Sequence, residues 1–441
     1  MNKAFKLALL LCAACTLGFS SCSDNDDPEN PQERIEQQNT AIRQLTTNYL
    51  TTVVYNTYSN LATESEGLYN KINALKTKLN AGSAVQKSEI DAICQSYKDA
   101  RRHWEESEAF LYGAATDFDI DPHIDTWPLD VETLAKDLQD DAKIQRLNAN
   151  DGIDYARTSL TKENLGFHGI EFIFFRDGKN RSADFFNNDA TEDYENYFKG
   201  LNVTAKEEVI FATAVAGDLR DKCFQLEVAW LGNSAPAGHR SRVAECAQKF
   251  DDFETKVSKN GLSYGEDMLA TGTSEGTINS WKKVMETILV SGCSNICAEV
   301  ADQKMGQAYR AAIGRPEMHE DEDTGEMVED DPNYIESPYS HNSFTDFYDN
   351  IISIKNSLYG NRDGLVPAAS SIISYLNTYN AQMSTELQAK LNAALSALKE
   401  CQNSGKAFVE DPGAAYVKTA MDAVTDLDDY LNETSAWILK N

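Results

Sequence analysis

Residues 35–81 read IEQQNTAIRQLTTNYLTTVVYNTYSNLATESEGLYNKINALKTKLNA, and no proline interrupts them. Ile42, Leu45, Tyr49, Val53, Leu61, Leu68, Ile72, Leu75 and Leu79 follow one another at helical intervals, which places them along one face. A helix of this length with an apolar stripe is stable only if the stripe is buried against other helices. Gly82-Ser83 ends it, and Ser88-Glu89 caps a second helix that carries Ile90, Ile93, Tyr97, Trp104 and Phe110.

The pattern recurs to the end of the chain. Helices are expected at Val131–Leu138, Thr161 to about Phe175, Thr204–Leu231, Arg240–Val257, Ser274–Ile313, Ser343–Tyr359, Val366–Tyr379, Ser384–Cys401 and Tyr416–Leu439. Gly113 to Asp130 reads as a loop containing two prolines, and residues 316–332 as a solvated acidic loop whose oxygen spacing does not fit calcium. Ten prolines and 24 glycines in 441 residues speak against a sandwich of many short strands. The expected fold class is all-α, with two four-helix-bundle-like domains at 36–200 and 201–441.

Lys+Arg total 40 against 70 Asp+Glu, a net charge of −30, with no basic run. Attraction to phosphate backbones needs clustered positive charge, so nucleic acid is excluded as a partner. A hydrophobic fraction of 41% excludes a mostly disordered chain.

Lys3, Lys6 and the apolar run Leu7–Phe19 form a signal-peptide pattern over residues 1–21. Ser20-Ser21-Cys22 resembles a bacterial lipobox, with Cys22 as the lipidated residue and Cys15 as a second choice. Residues 22–35 read as a flexible acidic tether. Acids directly after the cysteine resemble the signal for the outer face of a Gram-negative outer membrane. The expected location is the cell envelope, anchored in outer-membrane lipid; a freely secreted product is the alternative. After residue 21 no further stretch is expected to be long and apolar enough to cross a bilayer. Six cysteines follow Cys22 without a C-x-x-C pair, and Cys293 and Cys297 share a helical face as small buried residues.

Of six histidines, His168 has the most unusual surroundings: Asn164-Leu165-Gly166-Phe167-His168-Gly169-Ile170-Glu171-Phe172. On a helix His168 and Glu171 share a face. Glycines at 166 and 169 are poor helix formers, and imply that a backbone or ligand approaches closely. The pair suits metal binding or proton transfer; a core histidine bonded to a nearby carboxylate is the structural alternative. A zincin would need H-E-x-x-H, and S-x-x-K at Ser159–Lys162 lacks its partner motifs. Arg102, Trp104, Glu105 and Glu108 lie on one segment, Asp125 and Trp127 in a proline-fixed loop, and Ser340 just before a helix.

Together these segments resemble the imelysin-like (M75) family. The match runs through Gly166-x-His168-x-x-Glu171, through Arg102-x-Trp104-Glu105-x-x-Glu108-Ala109-Phe110, through Ile124-Asp125-x-Trp127-Pro128 and through Ser337-Pro338-Tyr339-Ser340. The resemblance implies two helical bundles with a site at their interface, formed by Gly166, His168, Glu171, Asp125, Trp127, Glu108, Arg102 and Ser340. It also implies an envelope protein that binds iron, another divalent metal, a chelate or a partner of the iron-uptake machinery, with His168 and Glu171 as metal ligands. The alternatives are a metallopeptidase using the same pair and a structural or adhesive surface protein. A catalytic zinc normally takes three protein ligands and a water, and this pair supplies two.

Overall fold

The computed structural model describes residues 31–320, 325–362 and 364–441. The expected signal peptide, Cys22 and the tether as far as residue 30 lie outside the described residues. From Pro31 onward the chain is already helical, so the last five residues of the expected tether belong to a helix. Proline suits the first helical turn, where its missing N–H is not needed, and Glu33 complements the positive helix end.

The long opening helix forms as α1 (Pro31–Tyr49) and α2 (Tyr55–Asn80), joined without a break through a π-helical turn at Leu50–Val54. Gln86 and Glu89 close a capping box at the start of α3 (Lys87–Glu105). The next long helix is α4 (Ala205–Leu231), which opens on a second capping box made by Thr204 and Glu207. It is buried almost all round, and packs against α2, Gly152–Ser159 and Gly166–Phe174. The element after residue 200 therefore leans on helices that precede it.

A second helical set comprises the composite stretch Trp281–Ala312, α5 (Ser343–Tyr359), α6 (Ala381–Asn403) and α7 (Ala415–Lys440). Within it α7 packs on α6 and on the composite stretch, and α5 on α6. The sets meet where α3 and the turn Glu108–Phe110 touch α5 and the π-helical Thr287–Ser294. One apolar core takes residues from both. The all-α expectation holds, with two small two-stranded hairpins as the sheet among the described residues.

Several expected elements are shorter, each for a local reason. The helix expected from Thr161 begins only at Gly166, whose φ of +60° cannot propagate a right-handed helix. The one expected from Arg240 spans Ala237–Ala247 instead; beyond it Gln225 captures the carbonyls of Asp252 and Glu254, and Lys222 captures the Asp252 carboxylate. The one expected from Ser274 starts at Trp281 under a Ser280 cap. The one expected from Val366 starts at Ile372, because Pro367 disfavours helix at the residue before it. The acidic 316–332 segment contains a hairpin, Met318–Glu320 against Met327–Glu329. Asp330 closes its base, accepting from the Glu317 N–H and from Arg310.

One expectation is reversed. By length and composition the helical stretch Trp281–Ala312 is apolar enough to cross a bilayer, with 61% of its most apolar window buried inside the protein. Its Val284, Ile288, Leu289 and Ile296 sit in the core, where a central helix and a membrane span have similar compositions.

Candidate functional site

Gly166 sets the geometry. A Cβ on it would lie 1.8 Å from the Ile124 carbonyl oxygen, and one on Gly169 would lie 2.4 Å from that of Asn164. The close approach that the two glycines imply is therefore backbone against backbone. It seats the Ile124–Asp125 loop on the first turn of Gly166–Phe174, and brings Asp125 to His168.

His168 is buried, with Nε2 3.1 Å from Asp125 Oδ1 and Nδ1 3.7 Å from Glu171 Oε2. Burial works against a charged ring, but the hydrogen bond to Asp125 and the nearby Glu171 carboxylate outweigh it and raise the imidazole pKa to about 9. That shift favours the imidazolium form at neutral pH. Glu171 Oε1 accepts from both the N–H and the hydroxyl of Ser340, at 2.7 and 2.6 Å. Asp125 Oδ2 accepts from Trp104 Nε1 at 2.6 Å, and Oδ1 pairs with Arg101. Burial alone would lift the Asp125 carboxyl, yet Arg101 and His168 hold it well below the usual range.

The guanidinium at the centre is that of Arg101, which contacts Asp125, Glu105 (2.6 Å), Glu336 (2.5 Å) and Asp346 (3.5 Å). Arg102 is exposed, which corrects the expectation for that position. Positions 101, 104 and 105 share one helical face, and 102 points away from it. Lys304, fully buried, is 3.0 Å from Glu336 and 3.9 Å from Glu108, and its ammonium stands 4.8 Å from the centre of the Trp127 ring. Trp127 packs at 6.0 Å from the His168 ring and 5.3 Å from Tyr334. Arg101, Lys304, Glu336 and Asp346 were not among the expected site residues. The 101/104/105 periodicity could have identified Arg101; no local signal marks the other three.

Six carboxylates (Glu105, Glu108, Asp125, Glu171, Glu336, Asp346) thus face three basic side chains (Arg101, Lys304, His168) in the buried interior. Burial pushes Glu105 and Glu108 up, and lifts Asp346 to about 7 against the pull of Arg101. Glu108 Oε2 and Glu336 Oε2 are buried without a hydrogen-bond partner, as is Trp127 Nε1. Two triads have ligand atoms within 4.8 Å of one another: Asp125, His168 and Glu336, and Glu105, Glu108 and Asp125. Asp125 belongs to both and Glu171 to neither; Glu171 instead ties His168 to the Ser340 segment.

Fold and site define an all-helical protein with a buried, acid-rich polar centre where two helical sets meet. The family model Imelysin (Peptidase_M75) matches residues 54–431, so the chain belongs to the imelysin family. It is 23% identical over 360 residues to iron-regulated protein A of Synechococcus elongatus, covering 81% of this chain and 76% of that one. A crystal structure from Parabacteroides distasonis, proposed to be an iron-regulated protein A precursor, superposes with a TM-score of 0.67. The two share 22% identity, over 90% of this chain and 95% of that one.

Proposed function

We propose that this chain is an iron-linked envelope protein that binds a hard metal cation, iron foremost, at the buried centre around Asp125. The carrying observation is the convergence of Glu105, Glu108 and Asp125 oxygens within 4.8 Å of one another. The partnerless Glu108 Oε2 beside them supports the same reading. Oxygen-rich sites suit hard cations, and a bound cation would favour ionisation of the acids that burial pushes up. The relative's name, iron-regulated protein A, supports iron over other metals. His168 and Glu171, expected as ligands, are assigned instead to orienting Asp125 and the Ser340 segment.

The peptidase alternative fits less well. A zinc ligand must be a neutral imidazole with a free lone pair, whereas both His168 nitrogens face carboxylates. The cluster is also enclosed, with Arg101, Glu105, Glu171 and Glu336 each 0% exposed, while a peptide needs an open cleft. Attachment to outer-membrane lipid through Cys22 and service to an iron-uptake partner complete the proposal. Elemental analysis of protein from its native envelope, followed by titration of apoprotein with ferrous and ferric iron, tests it. Stoichiometric iron lost in Asp125→Asn is expected; metal-free protein that binds none of these ions refutes it.

A further inference from the structure

A separate cavity of about 490 Å³ opens between α2, the Gly152–Ser159 helix, α4 and the Ala237–Ala247 helix. That size falls in the range of small-molecule sites. On a chain of net charge −30, its walls present Arg220, Arg242 and Lys249 together.

The arginines are held in place from behind. Asp221, fully buried, receives Nε and Nη2 of Arg242 at 3.0 and 2.6 Å, and Nε and Nη2 of Arg220 at 3.1 and 2.7 Å. A third guanidinium, Arg157, also donates to Asp221 at 2.9 Å. Three guanidiniums thus share one carboxylate; Asp218, the other acid bonded to Arg157, is already bonded to His123. This arrangement uses Nε and Nη2 of both arginines; Nη1 of Arg242 has the exposed Glu245 carboxylate 3.5 Å away, and Nη1 of Arg220 has no hydrogen-bond acceptor among the described residues. Preorganised guanidinium edges recognise oxyanions with bidentate geometry and little ordering cost. Tyr69, whose ring Arg220 covers at 4.3 Å, and Phe224 supply apolar wall. Two acids share the wall: Asp154 pairs with Lys249 at 2.7 Å, and Glu66, half exposed, lies 4.0 Å from His239, whose Nδ1 is bonded to Glu227.

We propose that this cavity binds a small, multiply charged oxyanion, gripped by Arg220, Arg242 and Lys249. The chemistry is shared by phosphate esters and polycarboxylates. It does not depend on the metal reading of the Asp125 centre, since none of these residues belongs to that cluster.

Calorimetric titration of the full-length protein with pyrophosphate and, separately, with citrate tests it. One or both should bind with a dissociation constant below about 1 mM at low salt, weakening as salt is raised. Arg242→Gln and Lys249→Gln should each weaken binding at least about tenfold, the loss of one charge-assisted contact. Lys249 is an exposed residue, so its variant tests the idea even if Arg242→Gln fails to fold. Binding of pyrophosphate alone identifies the phosphate class, and of citrate alone the carboxylate class. Binding of neither, or unchanged affinity in Lys249→Gln, overturns the proposal.

Discussion

His168 Nε2 lies 3.1 Å from Asp125 Oδ1 although 43 residues separate them, and the backbone contact beneath them is what brings them together. Gly166, at φ +60°, lets the helix that carries His168 start directly against the Ile124 carbonyl, so the next side chain along that loop meets the ring. Gly166→Ala should therefore act twice. It adds a Cβ 1.8 Å from that oxygen and forces alanine into a left-handed conformation, together costing about 2–5 kcal/mol. Urea denaturation should show this loss, and the surviving folded fraction should bind metal more weakly. Wild-type stability would contradict the packing.

Arg101 and Arg102 are adjacent in sequence and opposite in consequence. Arg101 is the shared counter-ion of Asp125, Glu105, Glu336 and Asp346, all buried. Arg101→Gln removes the cation these acids share, leaving Asp125 to His168 and Glu336 to Lys304, and should cost about 3–5 kcal/mol. Arg102→Gln, on the exposed side, should change stability by no more than about 0.5 kcal/mol. Equal effects in paired denaturation curves would mean that the helix register is wrong.

The contrast also shows what a linear sequence conveys. Helical periodicity made the fold class and α5 legible, because each turn repeats its own apolar spacing. The glycine pair announced a close approach for the same local reason. The element ends were harder, since Gln225 and Lys222 on one helix capture Asp252, 27 and 30 residues later and just beyond the end of another helix at Ala247. The centre was legible as far as Gly166, His168, Asp125, Glu108, Trp127 and Ser340, which carry local motifs. Lys304, Glu336 and Asp346 come from segments whose local composition is ordinary, and only packing gives a buried lysine its role.

Asp218 provides a pH test away from the candidate metal centre. Burial alone would raise its carboxyl, but His123, with its Nε2 2.6 Å away, and Arg157 lower it from 3.8 to about 2. The folded state thus holds the carboxylate more firmly than the unfolded chain does. The stabilisation is fully present above about pH 4 and disappears as pH falls toward 2. It is worth about 2 kcal/mol. Unfolding free energies of wild type and Asp218→Asn, measured across that window, should converge by about this amount on acidification. A constant difference would assign the residue a role unrelated to its charge.

Lys304 separates a metal site from a purely structural charge cluster. Its buried ammonium lies 3.0 Å from Glu336 and 3.9 Å from Glu108, so it already supplies positive charge where a metal ion would. Lys304→Met keeps much of the apolar stem and removes the charge that stands over the Trp127 ring. If the cluster only supports the fold, the variant should lose about 3–5 kcal/mol and gain nothing, because Glu108 loses its cation and Glu336 is left with Arg101 alone. If the centre takes a cation, the same folding loss appears in metal-free protein, but added ferrous or manganous ion should restore part of it. Bound metal would then neutralise the carboxylates that the lysine no longer serves, and stabilisation by ligand grows with its concentration over its dissociation constant. Melting temperature against metal concentration, for wild type and Lys304→Met side by side, reads the difference directly. A steeper metal dependence in the variant is the expected result, and a flat response in both proteins would reduce the centre to scaffolding.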